Sequence, residues 1–262
     1  MRMLMVAAIC FLSHLLMSQE KVQPCSSGAG TVTATRLAHE ISLAAQHPAP
    51  EWKAASPVTF CADWQGLHSD PGRQTEVRVL WTPQTLYLRF ECRYRELFVF
   101  EDSEANGRRD HLWDRDVAET FLQPDASRPR YYREFEVSPN GMWIDLDIFP
   151  EGLRDLKSGL ARSVWLDREG HRWTAELAIP MKALTERFDP TAVWRANFYR
   201  VEGPQEPRFY SAWRATGTPE PNFHVPAAFG KLRFGKEFNR GDRRVREKNG
   251  AHHCRICRSH VG

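Results

Sequence analysis

The chain has 262 residues, of which 42% are hydrophobic and 26% charged, with a formal net charge of +3. That apolar share supplies a core and excludes disorder throughout, and the length admits one large domain or two small ones. Eight Lys and Arg fall in residues 236–262 against three acids, so the rest of the chain is slightly acidic and its composition does not point to nucleic acid.

Met1–Glu20 opens with one Arg and an apolar run from Met3 to about Met17. A short basic start and an apolar stretch too short to span a bilayer comfortably predict a secretory signal peptide, removed before the protein reaches the outside, periplasm or cell surface. Export would put Cys25, Cys61, Cys92, Cys254 and Cys257 in an oxidising compartment. Cys92 lies on the apolar parity of a strand and is expected to be buried, and a Cys61–Cys92 bridge is one pairing open to the chain. Residues 21–50 are rich in Ser, Ala, Gly, Pro and His and read as a loose leader, with a short helix conceivable at Thr35–Ala45.

From Trp52 the pattern turns to β. Val58–Ala62 is a short strand. Thr75–Trp81 sets Val77, Val79 and Trp81 on one side. After a turn containing Pro83, Leu86–Tyr94 alternates Leu86, Leu88, Phe90 and Cys92 with Tyr87, Arg89, Glu91 and Arg93. The two runs predict a hairpin with one face buried. Glu96–Arg115 is an acid- and Arg-rich loop of a length that usually serves a function or stays disordered. Strands are predicted next at Val117–Gln123, Tyr131–Ser138 and Met142–Phe149, the last two joined at Asn140-Gly141, a favoured hairpin pair. Arg162–Asp167 and Arg172–Ile179 flank a turn at Glu169–Gly170, and Pro180–Glu186 reads as one or two helical turns. Val193–Val201, Phe209–Arg214 and Lys231–Phe234 complete the set. Short strands at roughly ten-residue intervals predict an all-β fold, an antiparallel β-sandwich or jelly roll with one or two short helices, over residues 51–235. The basic tail, 236–262, reads as disordered. Its His252–His260 stretch holds one CxxC, Cys254 and Cys257, between histidines. The ligand types suit zinc, but the spacing is very tight for a folded site.

No GxSxG, HExxH, P-loop or GxGxxG is present. Asp145 and Asp147 share one strand face, but alternating acids on a half-exposed strand are ordinarily its solvated side, whereas a glycosidase pair must face across a cleft. Trp113-Asp114-Arg115-Asp116-Val117-Ala118-Glu119 carries more chemistry. An indole at the end of a polar loop offers a platform for the C–H face of a sugar, and Glu119 offers a bidentate acceptor for hydroxyls. The competing reading has Trp113 tucked under its loop as a core anchor.

Six blocks then come in order: VRVLWTPQTLYLRFECR, LWDRDVAETFLQPD, YYREFEVSPNG, RWTAELAIPMKAL, WRANFYRVE and FHVPAAFGKLRF. Together, from about Trp52 to Phe234, they resemble the family 9 carbohydrate-binding module. The resemblance implies a sandwich of two antiparallel sheets. It implies non-catalytic binding of mono- or oligosaccharides or glycan chain ends, often beside xylanases and other glycoside hydrolases in polysaccharide breakdown. It also implies roles: Trp113 and Phe223 as the two rings of a clamp, with Phe where the family usually has Trp, and Glu119 as hydroxyl acceptor. The Asn common three residues before the second ring falls on Glu220, with Asn222 nearby. A binding Arg of the family falls on Glu136, and Arg133 lies earlier on that strand. Some members hold structural calcium, for which acids in the Glu101–Glu104 loop have suitable oxygens, with no ligand assigned and no other cofactor expected. Two alternatives remain. One is a haem-binding electron-transfer sandwich using Met142, Met181 or His224. The other is a carbohydrate-active enzyme, for which no catalytic pair is recognisable.

Overall fold

The computed structural model describes residues 30–204 and 208–237 together with Cys25. The predicted signal peptide and the CxxC of the tail lie outside the described residues. None of the described helices is long and apolar enough to cross a membrane.

The strands follow the two-residue period of the sequence. β1 spans Thr31–Arg36 and β2 Val58–Phe60. β3 (Thr75–Trp81) and β4 (Thr85–Arg93) form the expected antiparallel hairpin, with Val77 opposite Phe90 and Val79 opposite Leu88. Thr82 holds the turn: its hydroxyl oxygen accepts from the amides of Gln84 and Thr85. β5 (Val117–Gln123), β6 (Tyr132–Val137), β7 (Trp143–Phe149) and β8 (Gly152–Asp155) run as a meander. Gly141, at φ 85°, supplies the left-handed residue of the β6–β7 turn. β9 (Ala161–Asp167) and β10 (Arg172–Pro180) then extend the sheet at β4, and α1 is one turn, Met181–Leu184. β11 (Trp194–Glu202) lies against β5 and is flanked by β12 (Phe209–Ala212) and β13 (Gly230–Glu237).

The architecture is the all-β sandwich, antiparallel except at one strand. β1 pairs in parallel with both β13 and β3 and joins the two halves into the order β8-β7-β6-β5-β11-β13-β1-β3-β4-β10-β9. For the described residues 30–50 this corrects the reading of a loose leader. Thr31, Thr33 and Thr35 alternate with buried Val32 and Ala34, a β-branched, period-two pattern that suits a strand. No helix forms at Thr35–Ala45. The chain there is irregular, and Leu37 and Trp52 pack with Leu80 and Tyr87 on the outer face of the β3–β4 hairpin.

Between the halves lies the main core. Val77, Val79, Leu88, Phe90, Trp173 and Leu177 meet Ala118, Leu122, Phe135, Val137, Phe198 and Trp213, each large side chain contributing roughly 1.5–3 kcal/mol by leaving water. Cys92 points into this core and is free, while Cys61 is bridged to Cys25. The Cys61–Cys92 pairing is thereby corrected: β4's alternation commits Cys92 inward.

One half of the sandwich buries apolar side chains on both faces. Away from the main core, Val117, Phe121, Tyr132, Ile144, Leu146, Tyr199 and Val201 form a second cluster, closed by Leu112, Phe223 and Phe229 from the flanking loops. Those loops stand over the sheet and create the concavity described next.

Candidate functional site

A cleft of about 440 Å³ opens between the outer face of the β5–β6–β11 region and the two loops that cover it, a size usual for small-ligand sites. The loop before β5 contributes Trp113, Asp114 and Arg115. The sheet contributes Glu119, Glu134 and Val201, and the chain after β12 contributes Asn222, Phe223 and His224. Arg208 and Tyr210 close the remaining side.

Local packing sets each ring. His111 adopts a left-handed conformation, φ 53°, and starts a single 3-10 turn, Leu112–Asp114. Leu112 enters the second core and is fully buried. Trp113 is half-buried, its ring 4.8 Å from that of His111, and it faces the cleft. The loop's anchor is therefore Leu112 rather than Trp113. Phe223 comes from the other loop and lies flat on Tyr199, with Tyr210 edge-on at 6.1 Å. Asn222 accepts the amide of His224 through its side-chain oxygen at 2.9 Å, and His224 Nδ1 is 2.6 Å from the Tyr132 hydroxyl.

Three carboxylates form the floor. Glu119 on β5 is opposite Glu136 on β6, and Glu134 follows on the same face. One oxygen from each lies within 4.8 Å of the other two. Glu119 and Glu134 line the cleft, and Glu136 is fully buried beneath them. Both oxygens of Glu136 and Oε2 of Glu134 meet no donor from outside the three acids, and Glu134 and Glu136 are within hydrogen-bond reach of one another. Burial holds all three carboxyls above the ordinary range. Glu134 pushes Glu119 further up, and Glu119 and Glu134 do the same to Glu136. Arg208 opposes the rise at Glu119, and His224 opposes it at Glu134.

Of the residues singled out in the sequence, Trp113, Glu119, Asn222 and Phe223 meet in this one cleft, and Glu136 lies under it. Glu220 is exposed and outside the lining. Arg133 points to the other side of β6 and pairs with Asp147, which also takes Arg154. Asp145 accepts the amide of Ser158. Asp145 and Asp147 are thus structural partners and face no cleft opposite one another. The acids of the Glu101–Glu104 loop are exposed; Asp102 is beside Arg109 and Glu104 beside Arg108. The haem candidates are scattered: Met181 is in the main core, Met142 half-buried against the second core, and His224 at the cleft.

Sequence reasoning missed Glu134, Arg208, Tyr210 and His224 as lining residues. Glu134 shares one face of β6 with Tyr132 and Glu136, the other side, Phe135 and Val137, being core; that alternation gives its face but not its burial.

Comparisons with known proteins converge. A family model described as carbohydrate family 9 binding domain-like matches residues 46–236. A protein of Arthroderma benhamiae named extracellular protein is 26% identical over 181 residues, 63% of this chain and 80% of that one. Among solved structures, a Bacteroides uniformis protein described as a candidate carbohydrate-binding protein superposes with TM-score 0.61 at 16% identity, over 78% of this chain and 99% of that one. A family 9 carbohydrate-binding module of Caldicellulosiruptor kristjanssonii in complex with glucose gives TM-score 0.57 at 13% identity, over 80% and 97%. The same module with cellotriose gives 0.57 at 13%, over 80% and 96%.

Proposed function

This chain belongs to the carbohydrate family 9 binding domain-like family, and we propose that it binds mono- or oligosaccharide without catalysing its cleavage, in the cleft between Trp113 and Phe223. The observation that carries the proposal is the meeting of these two rings, from loops far apart in the chain, over a carboxylate floor in one cavity. A pyranose has weakly polar C–H faces that pack on aromatic rings and an equatorial belt of hydroxyls that need partners. Trp113 and Phe223 offer the first. Glu119 accepts hydroxyl hydrogens, and Asn222 adds an amide at the rim. The complexes of related modules with glucose and cellotriose support a glucose-like ring as ligand.

The setting we propose is outside the cell. The basic-then-apolar start of the chain and the relative named extracellular protein support export, and an exported sugar-binding sandwich suits a part in polysaccharide breakdown, xylan included.

Calorimetry against glucose, cello-oligosaccharides and xylo-oligosaccharides tests the reading. Trp113→Ala should weaken binding by about 1–3 kcal/mol, the scale of one stacking platform. Full affinity in that variant would remove the cleft as the binding site.

A further inference from the structure

We propose that the preferred sugar carries a positive charge, an amino sugar whose ammonium sits on Glu119 and Glu134 while its ring lies against Trp113 and Phe223. The inference rests on the sugar-binding reading above and names its ligand class. Its starting point is the charge around the cleft. Asp114, Glu119 and Glu134 line it, and Glu136 and Asp116 are fully buried behind. Among the described residues the bases are Arg115, Arg208 and His224 in the lining and Arg200, buried behind beside Asp116. Arg208 donates to the carbonyls of Gly203 and Trp113 and lies 3.5 Å from Asp116. Arg115 donates to the Asp114 carbonyl and covers Phe98 and Phe100. Acids exceed bases where the floor is deepest.

The second observation is independent of that count. Both oxygens of Glu136 and Oε2 of Glu134 are buried and meet no donor from outside the three acids. A carboxylate placed there for the fold would be expected to meet a fixed donor, because leaving one unpaired is costly. A hydroxyl of a neutral sugar brings one donor and no charge. An ammonium brings three donors and a full charge and accepts nothing. Glu119 and Glu134 line the cleft where they can take its hydrogens, and Glu136 lies fully buried behind them. The aromatic rings decide between an ammonium on a ring and a bare metal ion. Three carboxylates alone would serve an ion, but an ion has no use for Trp113 and Phe223.

The test uses three disaccharides that share one linkage and differ at C2: cellobiose, fully deacetylated chitobiose and its N,N′-diacetyl form. Calorimetry on the whole chain at about pH 6.5 should show the free amine binding roughly tenfold or more tighter than cellobiose, as charge-assisted hydrogen bonds replace neutral ones. The acetylated form should lose that advantage. Glu134→Gln, checked by melting, should narrow the ratio of amine to cellobiose affinity, and Trp113→Ala should weaken the amine. Cellobiose binding as well as the amine or better would overturn the inference and leave sugar binding standing. So would amine binding indifferent to Trp113→Ala, which means charge attraction alone, or calcium chloride binding by itself in a manner abolished by Glu136→Gln. Binding of none of the sugars in the two panels would reject the sugar-binding reading itself.

Discussion

Tyr199 and Phe223 lie face to face, ring centroids 4.2 Å apart and planes 12° from parallel, and the Tyr199 hydroxyl donates to the backbone carbonyl of Phe223 at 3.0 Å. A residue of the central strand β11 thus grips a loop residue twice, ring on ring and hydroxyl on backbone. The hydroxyl is itself oriented by Asn197, whose side-chain amide donates to it at 2.8 Å. One face of Phe223 is used up in this contact, so a ligand meets only the other.

Tyr199→Phe separates the two grips. The stack survives and the hydrogen bond is lost, while the Phe223 carbonyl keeps the Val225 amide as a donor at 2.7 Å. We expect about 0.5–1.5 kcal/mol of lost stability in urea titration and a several-fold fall in sugar affinity, because the ring must then be ordered on binding. If affinity is unchanged in Tyr199→Phe but falls in Phe223→Ala, the ring matters and its tether does not.

The floor acids give stability a pH dependence of unusual sign. Glu119, Glu134 and Glu136 hold their protons above the ordinary carboxyl range, chiefly because burial disfavours their charged forms. The unfolded chain releases those protons near pH 4.3. Their contribution to stability is complete below that value and is lost as pH rises through the folded-state values. Glu136→Gln removes one titrating group while preserving shape. Melting at pH 5 and pH 8 at equal ionic strength should show a smaller drop for Glu136→Gln than for the parent, and a higher melting temperature for the variant at pH 8. Parallel curves would mean that Glu136 is ionised and accommodated in the folded protein.

These particulars mark where the sequence is transparent. β3 and β4 were readable almost to the residue because one side of each faces the core and the other does not, and Trp113 and Glu119 were readable because ring and acid sit close together in the chain. β1 was opaque. Its partners are Lys231–Glu237 and Leu80–Trp81, distant in sequence, and only Val32 and Ala34 signal an inward side. β8 is exposed at every position, so nothing but backbone pairing defines it. The burial of Glu134 and Glu136 was hidden for another reason. Alternating acids look solvated until two loops are known to roof them. Arg208 and Tyr210 join the cleft only once β12 pairs with β11, which no local pattern announces.

The Cys25–Cys61 bridge ties the chain ahead of β1 to the end of β2, closing a span of 36 residues. Loop-closure entropy alone assigns such a bridge about 3–4 kcal/mol. Reduction, or Cys25→Ser with Cys61→Ser, should lower the denaturation midpoint accordingly. Cys92 should resist iodoacetamide until the protein unfolds, since it is fully buried and burial pushes its thiol up to about 11. Labelling of Cys92 in the native protein would mean that the two sheets part readily at β4.

Arg208 carries the last prediction, because it connects stability to the cleft. Its guanidinium donates to Gly203 at 2.8 Å and to Trp113 at 3.0 Å, and it lies 3.5 Å from Asp116. Asp116 in turn accepts the amides of Phe98 and Gly203. The end of β11, the Trp113 turn and the start of the long loop are therefore held at one buried pair. Arg208→Met should cost about 3–5 kcal/mol, the usual result of stranding a buried charge, and should weaken sugar binding by releasing the Trp113 backbone. Arg208→Lys separates the two effects. A lysine returns a positive charge to Asp116 but lacks the fork that reaches two carbonyls at once. It should recover much of the melting temperature and little of the affinity. Recovery of both together would show that charge, and not the tether on Trp113, is what the cleft requires of this position.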